Sequence, residues 1–209
     1  PNKITTFDGS VEEGGPVNHK KILISPHGNG THTECFGHIS PDPEASIYAC
    51  LKGHLFFAQL ISLPVREQQG DRLLLLEDLQ NKMAKPSPEA LIIRSLPNLL
   101  EKKHFQYSGS NPPYLEAELC AFLAEQNIEH LLVDIPSVDR EEDEGKLNAH
   151  KSFWGYPERT RKEATITELI FVDPEIPDGL YLLNLQVISL NLDVSPSKPV
   201  IYPIYKSQN

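Results

Sequence analysis

Apolar residues recur along the chain in short runs and alternations that end at turn-forming residues. A two-residue period and β-branched content are typical of strands that are buried on one or both faces. The pattern predicts strands at residues 21–25, 55–65, 91–94, 130–134, 169–172 and 181–190. Strands therefore outnumber helices.

One segment shows a helical period instead. Within residues 114–127, the positions of Leu115, Leu119 and Leu123 fall on one helical face, after two prolines and before Asn127. A helix between strands 91–94 and 130–134 predicts a β-α-β crossover in a mixed sheet, and hence an α/β domain. The runs 73–76 and 149–154 are compatible with either strand or helix.

Length and charge narrow the classes of function. At 209 residues we expect one domain spanning 1–209, and 29 acidic against 19 basic side chains disfavour nucleic acid and anionic membranes as partners. No stretch of about 18 apolar residues and no secretory signal is visible, so we expect a soluble, cytoplasmic protein that acts on a small molecule.

Three widely spaced cysteines argue against a disulfide framework. The charge-dense run 140–146 and the basic run 159–162 are expected to be solvated loops.

Candidate chemistry is concentrated at residues 25–38, Ser-Pro-His-Gly-Asn-Gly-Thr-His-Thr-Glu-Cys-Phe-Gly-His, which hold three of the eight histidines. Imidazole and carboxylate suit zinc or a similar divalent ion. If 32–34 is extended, the two-residue period turns His32 and Glu34 to the same side. Gly28 and Gly30 would allow a tight turn that brings His27 to the same place. The alternative is a polar turn whose histidines are incidental.

The segment resembles the cyclase or kynurenine formamidase-like metal hydrolases, whose motif is His-x-Gly-Thr-His-x-Asp-x-Pro-x-His. Gly30-Thr31-His32-x-Glu34-x-x-x-His38 follows that motif. The resemblance continues across most of the chain, in Gly-Pro-Val-Asn at 15–18, Leu-Val-Asp-Ile-Pro-Ser-Val-Asp at 132–139, Asn-Ala-His at 148–150, Thr-Glu-Leu at 167–169 and Asn-Leu-Asp-Val-Ser-Pro at 191–196.

Four departures from the motif bear on the site. The first histidine is displaced by one residue to His27, with Asn29 as the substitute ligand, and the motif's aspartate is Glu34. Phe36 replaces the proline, and the interval from His150 to Glu168 is longer than usual.

The resemblance implies roles for individual residues. His27, His32 and Glu34 would hold one metal, and His150 and Glu168 would hold or share a second, leaving His38 as a general acid/base. Zinc is the expected ion, present as one or two ions, with manganese as an alternative. The implied fold is the family's swivelling β/β/α domain, with a mixed, strand-rich sheet and few helices, assembled as a homodimer or higher homo-oligomer.

The implied activity is hydrolysis of an amide, either an aryl formamide such as N-formylkynurenine or a cyclic amide or ester, by a metal-activated hydroxide. A metal-assisted cyclase or dehydratase and a non-catalytic binding module on the same scaffold are the alternatives. A serine esterase is disfavoured because no Gly-x-Ser-x-Gly elbow exists. Cys35 alternates with the ligand candidates and should point away from them. Asp134 and Asp139 would either orient ligand histidines or cap turns.

Overall fold

The computed structural model describes residues 9–20, 22–28 and 30–204. Within these ranges the chain forms eleven strands and four short α-helices, and none of those helices is long and apolar enough to span a membrane. The strands are β1 (His32–Cys35), β2 (Leu55–Pro64), β3 (Arg66–Gln68), β4 (Asp71–Leu74), β5 (Ala90–Leu96), β6 (Tyr114–Leu115), β7 (His130–Val133), β8 (Thr165–Glu168), β9 (Gly179–Asn184), β10 (Val194–Pro196) and β11 (Val200–Pro203). The helices are α1 (Ile47–Cys50), α2 (Leu76–Leu79), α3 (Ala117–Glu125) and α4 (Asn148–Trp154).

Eight of the strands form one mixed sheet in the order β10-β1-β8-β7-β5-β2-β9-β11. The four central strands, β8, β7, β5 and β2, are parallel to one another. The outer strands, β10 and β1 on one side and β9 and β11 on the other, pair in antiparallel fashion. A second sheet contains β3, β4 and β6. The predicted α/β fold, with a mixed sheet and few helices, is confirmed.

The central strands form because their side chains are buried on both faces. Residues 90–95 of β5 and all four residues of β7 are buried, which accounts for their nearly continuous apolar sequences. The predicted strands at 55–65, 91–94 and 130–134 are therefore confirmed. Helix α3 lies between β5 and β7 in sequence, and those strands are parallel neighbours, so the predicted crossover is confirmed as well.

Three strand predictions need correction. Residues 22–25 are exposed and form no strand, and Lys21 lies outside the described residues. The strand predicted at 169–172 lies earlier, as β8, because Leu169 adopts a left-handed φ of 54° that ends it. The strand predicted at 181–190 is confirmed only as far as Asn184, where β9 ends.

The helical predictions are confirmed with different limits. In residues 114–127 the first two residues pair as β6, the helix occupies Ala117–Glu125, and Asn127 takes the left-handed conformation after it. Of the ambiguous runs, 73–76 divides between β4 and α2, and 149–154 belongs to α4. Residues 140–146 and 159–162 form loops, and all three cysteines are free and buried.

Candidate metal centre

Strand β1 presents two of the predicted ligands from one face of the large sheet. His32 and Glu34 are two residues apart, so both side chains point to the same side, and both are completely buried. Thr33 points to the opposite side, where its hydroxyl lies 2.9 Å from that of Thr167 on β8. The neighbouring strands β10 and β8 hold β1 on both edges. The extended conformation assumed for 32–34 is confirmed.

The next strand of the sheet brings in Glu168. Its backbone pairs with that of His32, and Glu168 Oε2 lies 3.3 Å from His32 Nε2. The other oxygen, Oε1, accepts a hydrogen bond of 2.8 Å from the backbone N–H of Val138. The carboxylate is thus fixed in orientation, with one oxygen directed at the histidine.

Helix α4 supplies His150, and Asp139 fixes both the helix and the imidazole. The Asp139 carboxylate accepts hydrogen bonds from the backbone N–H groups of Ala149 and His150, at 2.7 and 3.1 Å, as an N-cap does. It also lies 2.6 Å from His150 Nδ1. His150 Nε2 is then directed at Glu34 Oε1, at 3.0 Å, and at Glu168 Oε1, at 3.8 Å.

Two 3₁₀ turns on either side of β1 add His27 and His38. His27 Nδ1 lies 3.2 Å from Glu34 Oε2, so the extra residue before Gly30 does not keep this imidazole away from the cluster. His38 Nδ1 lies 3.8 Å from the same oxygen, and the His27 and His38 rings are 4.3 Å apart. Both side chains are about one-third exposed, so they form the open side of the site.

Glycines are required after the first turn and within the second. Gly30 has a φ of +139°, a conformation that L side chains rarely adopt, and its carbonyl oxygen lies 2.9 Å from His32 Nδ1. Gly37 approaches Ala45 so closely that an added Cβ would lie 2.2 Å from the Ala45 carbonyl oxygen. The backbone next to His38 therefore has no room for a side chain at position 37.

Asp193 joins the cluster although the sequence analysis did not select it. Its Oδ2 lies 2.9 Å from His27 Nε2 and 3.6 Å from His38 Nδ1. Its backbone carbonyl accepts a 2.9 Å hydrogen bond from the N–H of Cys35, which ties the segment before β10 to the end of β1. The available signal was its place in the 191–196 segment that resembles the family.

The charges of the cluster shift the pKa values of its members strongly. Burial alone would lower the pKa of His150, but the carboxylates of Glu34 and Asp139 outweigh it and raise that pKa to about 10. Burial likewise opposes the ionised form of Glu34, yet the positive charge on His150, its hydrogen bond and the nearby His27 imidazole hold the pKa of Glu34 well below the usual range. The pKa values of His27 and His32 are raised by their carboxylate partners against the effect of burial. The site is therefore a strongly cation-attracting centre.

The donor set fits a divalent metal. Three overlapping groups have ligand atoms within 4.8 Å of one another, namely His27, His32 and Glu34; His27, His38 and Asp193; and Glu34, His38 and His150. His32 Nε2 and Glu34 Oε2 are buried and make no hydrogen bond of good geometry, although His32 Nε2 lies 3.3 Å from Glu168 Oε2 and Glu34 Oε2 lies 3.2 Å from His27 Nδ1. Buried polar atoms without a partner are costly, and a bound cation would satisfy both.

The remaining candidates fall outside the cluster. Asn29 lies outside the described residues. Asp134 accepts hydrogen bonds from the Ser95 backbone N–H and from Lys102 Nζ, so it orients no ligand. Of the histidines that fit no motif, His130 is buried against Phe56, and burial lowers its pKa to about 4. Cys35 is buried on the opposite side of β1, which confirms that it points away from the ligand candidates.

A cavity of about 890 Å³ opens beside the cluster. His27, Gly30 and Thr31 lie at the end nearest the metal centre. The rest of the lining includes the acidic side chains of Asp134, Glu141 and Asp143 and a group of aromatic and basic side chains, Lys102, Lys103, His104, Phe105, Tyr107, Arg140 and Phe171. Its size is within the range of small-molecule pockets, about 300–1,000 Å³.

Comparison with known proteins gives consistent matches. The family model described as "Putative cyclase" matches residues 2–140. The kynurenine formamidase of Bacillus cereus strain ATCC 14579 is 28% identical over 214 residues, which cover 97% of this chain and 93% of that protein. The kynurenine formamidase of Bacillus anthracis is 27% identical, with coverage of 93% and 85%.

Solved structures share the fold at lower identity. A predicted metal-dependent hydrolase from Bacillus stearothermophilus superposes with a TM-score of 0.66 at 14% identity, covering 90% of this chain and 82% of that one. Isatin hydrolase A from Labrenzia aggregata superposes with a TM-score of 0.62 at 15% identity, covering 87% and 75%.

Proposed function

Because the chain belongs to the cyclase family, we propose that it is a metal-dependent hydrolase that cleaves an amide bond in a small molecule. One observation carries the proposal: imidazoles and carboxylates from five separate segments converge on buried donor atoms, two of which make no hydrogen bond of good geometry. Such a cluster is unfavourable in a purely structural role, because each unpaired buried group lowers stability. The same arrangement is favourable when a divalent cation binds between the donors.

We assign the ligands as follows. His27, His32 and Glu34 would hold one ion, and His150 and Glu168 would hold or share a second. Nitrogen and oxygen donors in this proportion suit zinc first and manganese second. Asp193 is a further ligand candidate, because its carboxylate meets both exposed histidines.

When bound, the ion would lower the pKa of water toward about 7 and polarise the carbonyl of the substrate. The protein's own residues do the rest. Asp139 accepts a hydrogen bond from His150 Nδ1 and Gly30 from His32 Nδ1, so the Nε2 atoms of both imidazoles are directed inward. His38 lies on the open side of the site and would carry a proton to the leaving nitrogen.

The cavity supports an aromatic substrate. Phe105, Tyr107 and Phe171 offer ring faces and edges on its walls, and Lys103 Nζ lies 4.5 Å above the Phe171 ring. An aryl formamide such as N-formylkynurenine is the leading substrate, since relatives named kynurenine formamidase align along nearly the whole chain. A cyclic amide is the second, since isatin hydrolases share the fold.

The test begins with protein purified without added metal. Elemental analysis should find zinc or manganese, at one or two ions per chain. N-formylkynurenine and isatin are then assayed before chelation, after chelation, and after return of each metal. Loss of hydrolysis on chelation and its recovery with metal is the expected result.

The same experiment separates the alternatives. Bound metal without turnover of formamides, lactams or lactones would contradict the substrate assignment and favour a metal-assisted cyclase or dehydratase. Failure to bind metal at neutral pH would contradict the proposal itself and favour a non-catalytic binding module.

A further inference from the structure

Six residues other than glycine have a left-handed backbone in the described part of the chain. Four of them are polar and lie outside the cavity lining, namely Gln69, Asn111, Asn127 and Glu144. The other two are Leu147 and Leu169, with φ angles of 49° and 54°, and both line the cavity beside the metal centre. Leucine rarely adopts this conformation, because its Cβ then lies too close to the following carbonyl oxygen. The two strained leucines therefore share a location as well as a backbone geometry.

The left-handed turn at Leu169 changes the side of the chain on which this leucine lies. If β8 continued as a strand, Leu169 would share a face with Thr167, which points away from the metal centre. The turn directly after Glu168 places Leu169 on the cavity wall instead. Its N–H donates to the Ile135 carbonyl at 3.0 Å, and its own carbonyl accepts from the Thr31 hydroxyl. The surrounding chain thus holds this residue in its strained conformation.

Leu147 is held in the same way at the start of helix α4. Its N–H donates to the Asp143 carboxylate at 2.6 Å, and its carbonyl oxygen accepts from the N–H of Lys151 at 2.9 Å. The ligand candidate His150 lies within the same helix. Both leucines are therefore fixed beside residues that we assign to the metal.

Core packing does not explain why these two residues are leucine. Both side chains are partly buried, yet neither belongs to the described set of partly buried apolar residues that pack against the core. Asparagine adopts the left-handed conformation more readily and occurs at two of the four other positions. An apolar side chain in a strained conformation outside the core lowers stability, so a role in the site is the reason to expect it there.

The apolar surface that these leucines supply lies in a cavity with many charged side chains. When an amide is held at the metal centre, the group on its nitrogen must lie against the adjoining cavity wall. We propose that Leu147 and Leu169 form an apolar seat for an aryl group on the scissile amide nitrogen, and so determine a preference for aryl over alkyl amides. This inference rests on the proposed function, because it assigns specificity to the same site. The left-handed backbone is retained because it presents both side chains to the substrate.

The test measures specificity on variants that preserve the backbone. Leu147→Asn and Leu169→Asn, made separately, introduce a residue that tolerates the left-handed conformation but remove the apolar surface. The value of kcat/KM is measured for formanilide, whose nitrogen carries a phenyl group, and for N-methylformamide. Each variant should lower the ratio of the two values at least about 10-fold, since apolar pocket contacts discriminate by about 10–200-fold. Leu169→Met should keep the ratio within about threefold, because it retains an apolar side chain of similar volume.

Thermal melting and metal analysis show whether the leucines have a structural role instead. Both asparagine variants should bind the same amount of metal and melt no lower than the unmodified protein, because strain is relieved and no core residue is changed. Asn127→Leu is the reverse control, since Asn127 is left-handed, exposed and outside the cavity lining. It should lower the Tm by about 2–4 °C and leave the ratio unchanged.

Each outcome decides the assignment. An unchanged ratio in either asparagine variant would overturn the role of that leucine. Loss of metal, or a Tm lowered by more than about 5 °C, would overturn it as well, by assigning the side chain to the fold. If the metal-loaded protein hydrolyses no amide, the proposed function is contradicted, and calorimetric titration with formanilide then tests the leucines alone. Binding that is at least about 10-fold weaker in both variants would still support the apolar seat, and equal binding would contradict it.

Discussion

Three donors at the metal centre each have one atom fixed by a neighbour and another directed into the cluster. His32 is held by the Gly30 carbonyl, His150 by Asp139, and Glu168 by the Val138 N–H. Such partners fix ring orientation and tautomer, so the inward atoms need little rearrangement to bind an ion. His27 and His38 are different, because they are partly exposed and their ring nitrogens lie near the carboxylates of Glu34 and Asp193.

This difference predicts distinct effects for two alanine variants. His32→Ala should release the metal and abolish hydrolysis, because a buried ligand is lost at the centre of the donor set. His38→Ala should retain the metal and lose turnover by about 10²–10⁴-fold, the usual contribution of a general acid or base. Metal content by elemental analysis and kcat on the same preparations test both. Equal loss of metal in the two variants would show that His38 is a ligand.

At this scale the sequence predicted the cluster by its motif, and the geometry brings all six selected residues together. Asp193 was missed because, although it lies in the 191–196 segment that resembles the family, nothing in that segment marks it as a ligand among 29 acidic residues. Its position depends on the pairing of β10 with β1 and on a backbone hydrogen bond to Cys35, and both are long-range contacts. A sequence pattern encodes local spacing and not such contacts.

Among the secondary-structure elements, α4 has an unusual beginning. The residue before it, Leu147, has a left-handed conformation and gives no side-chain cap, so Asp139 caps the helix from ten residues upstream. The same carboxylate holds His150 Nδ1. The start of the helix and the orientation of a proposed ligand therefore depend on one side chain, whose pKa is lowered because its bonds to His150 and Ala149 outweigh the effect of burial.

Asp139→Asn tests this double role. We expect metal affinity to fall about 10–100-fold, because the amide that replaces the carboxylate carries no charge and orients the His150 imidazole less firmly. Loss of the negative charge at the helix N-terminus should also lower the free energy of unfolding by about 0.3–1 kcal/mol. Calorimetric titration with zinc and thermal melting measure the two effects. Asp143→Asn is the control, since Asp143 bonds only to backbone N–H groups of Gly145 and Leu147. An equal loss of metal affinity in the control would contradict a specific role for Asp139.

The elements that the sequence predicted well are those whose burial is uniform. Strands β5 and β7 are buried throughout and have continuous apolar sequences. Prediction failed at 22–25, where Ile22 and Leu23 are apolar but exposed. The strand predicted at 169–172 lies instead at β8, where Thr165 and Thr167 are buried and the sequence contains few apolar residues. Tertiary contacts decide such segments, and local propensity does not.

At the scale of the whole molecule, the metal centre concentrates buried charge at one end of the large sheet. In the absence of metal, protons on the imidazoles balance the carboxylates. The pKa of His150 rises from 6.5 to about 10 on folding, so its protonation stabilises the metal-free protein fully below pH 6.5. That contribution is lost as the pH rises toward 10.

Metal binding should reverse this dependence, because an ion requires neutral imidazoles. We therefore expect the difference in Tm between metal-loaded and metal-free protein to widen as the pH is raised from 6.5 to about 9. Paired thermal melts before and after chelation measure it. A difference that stays constant across this range would contradict the account of the cluster.

The metal centre lies near one edge of the large sheet, where β10 is the last strand beyond β1. Strands β8, β7, β5, β2 and β9 separate β1 from β11 at the opposite edge, and at about 4.8 Å per strand step β1 and β11 are on the order of 30 Å apart. A molecule that binds at the β11 edge would therefore leave the entrance beside His27 open to solvent. Reactants could then come and go while the far edge of the sheet is occupied.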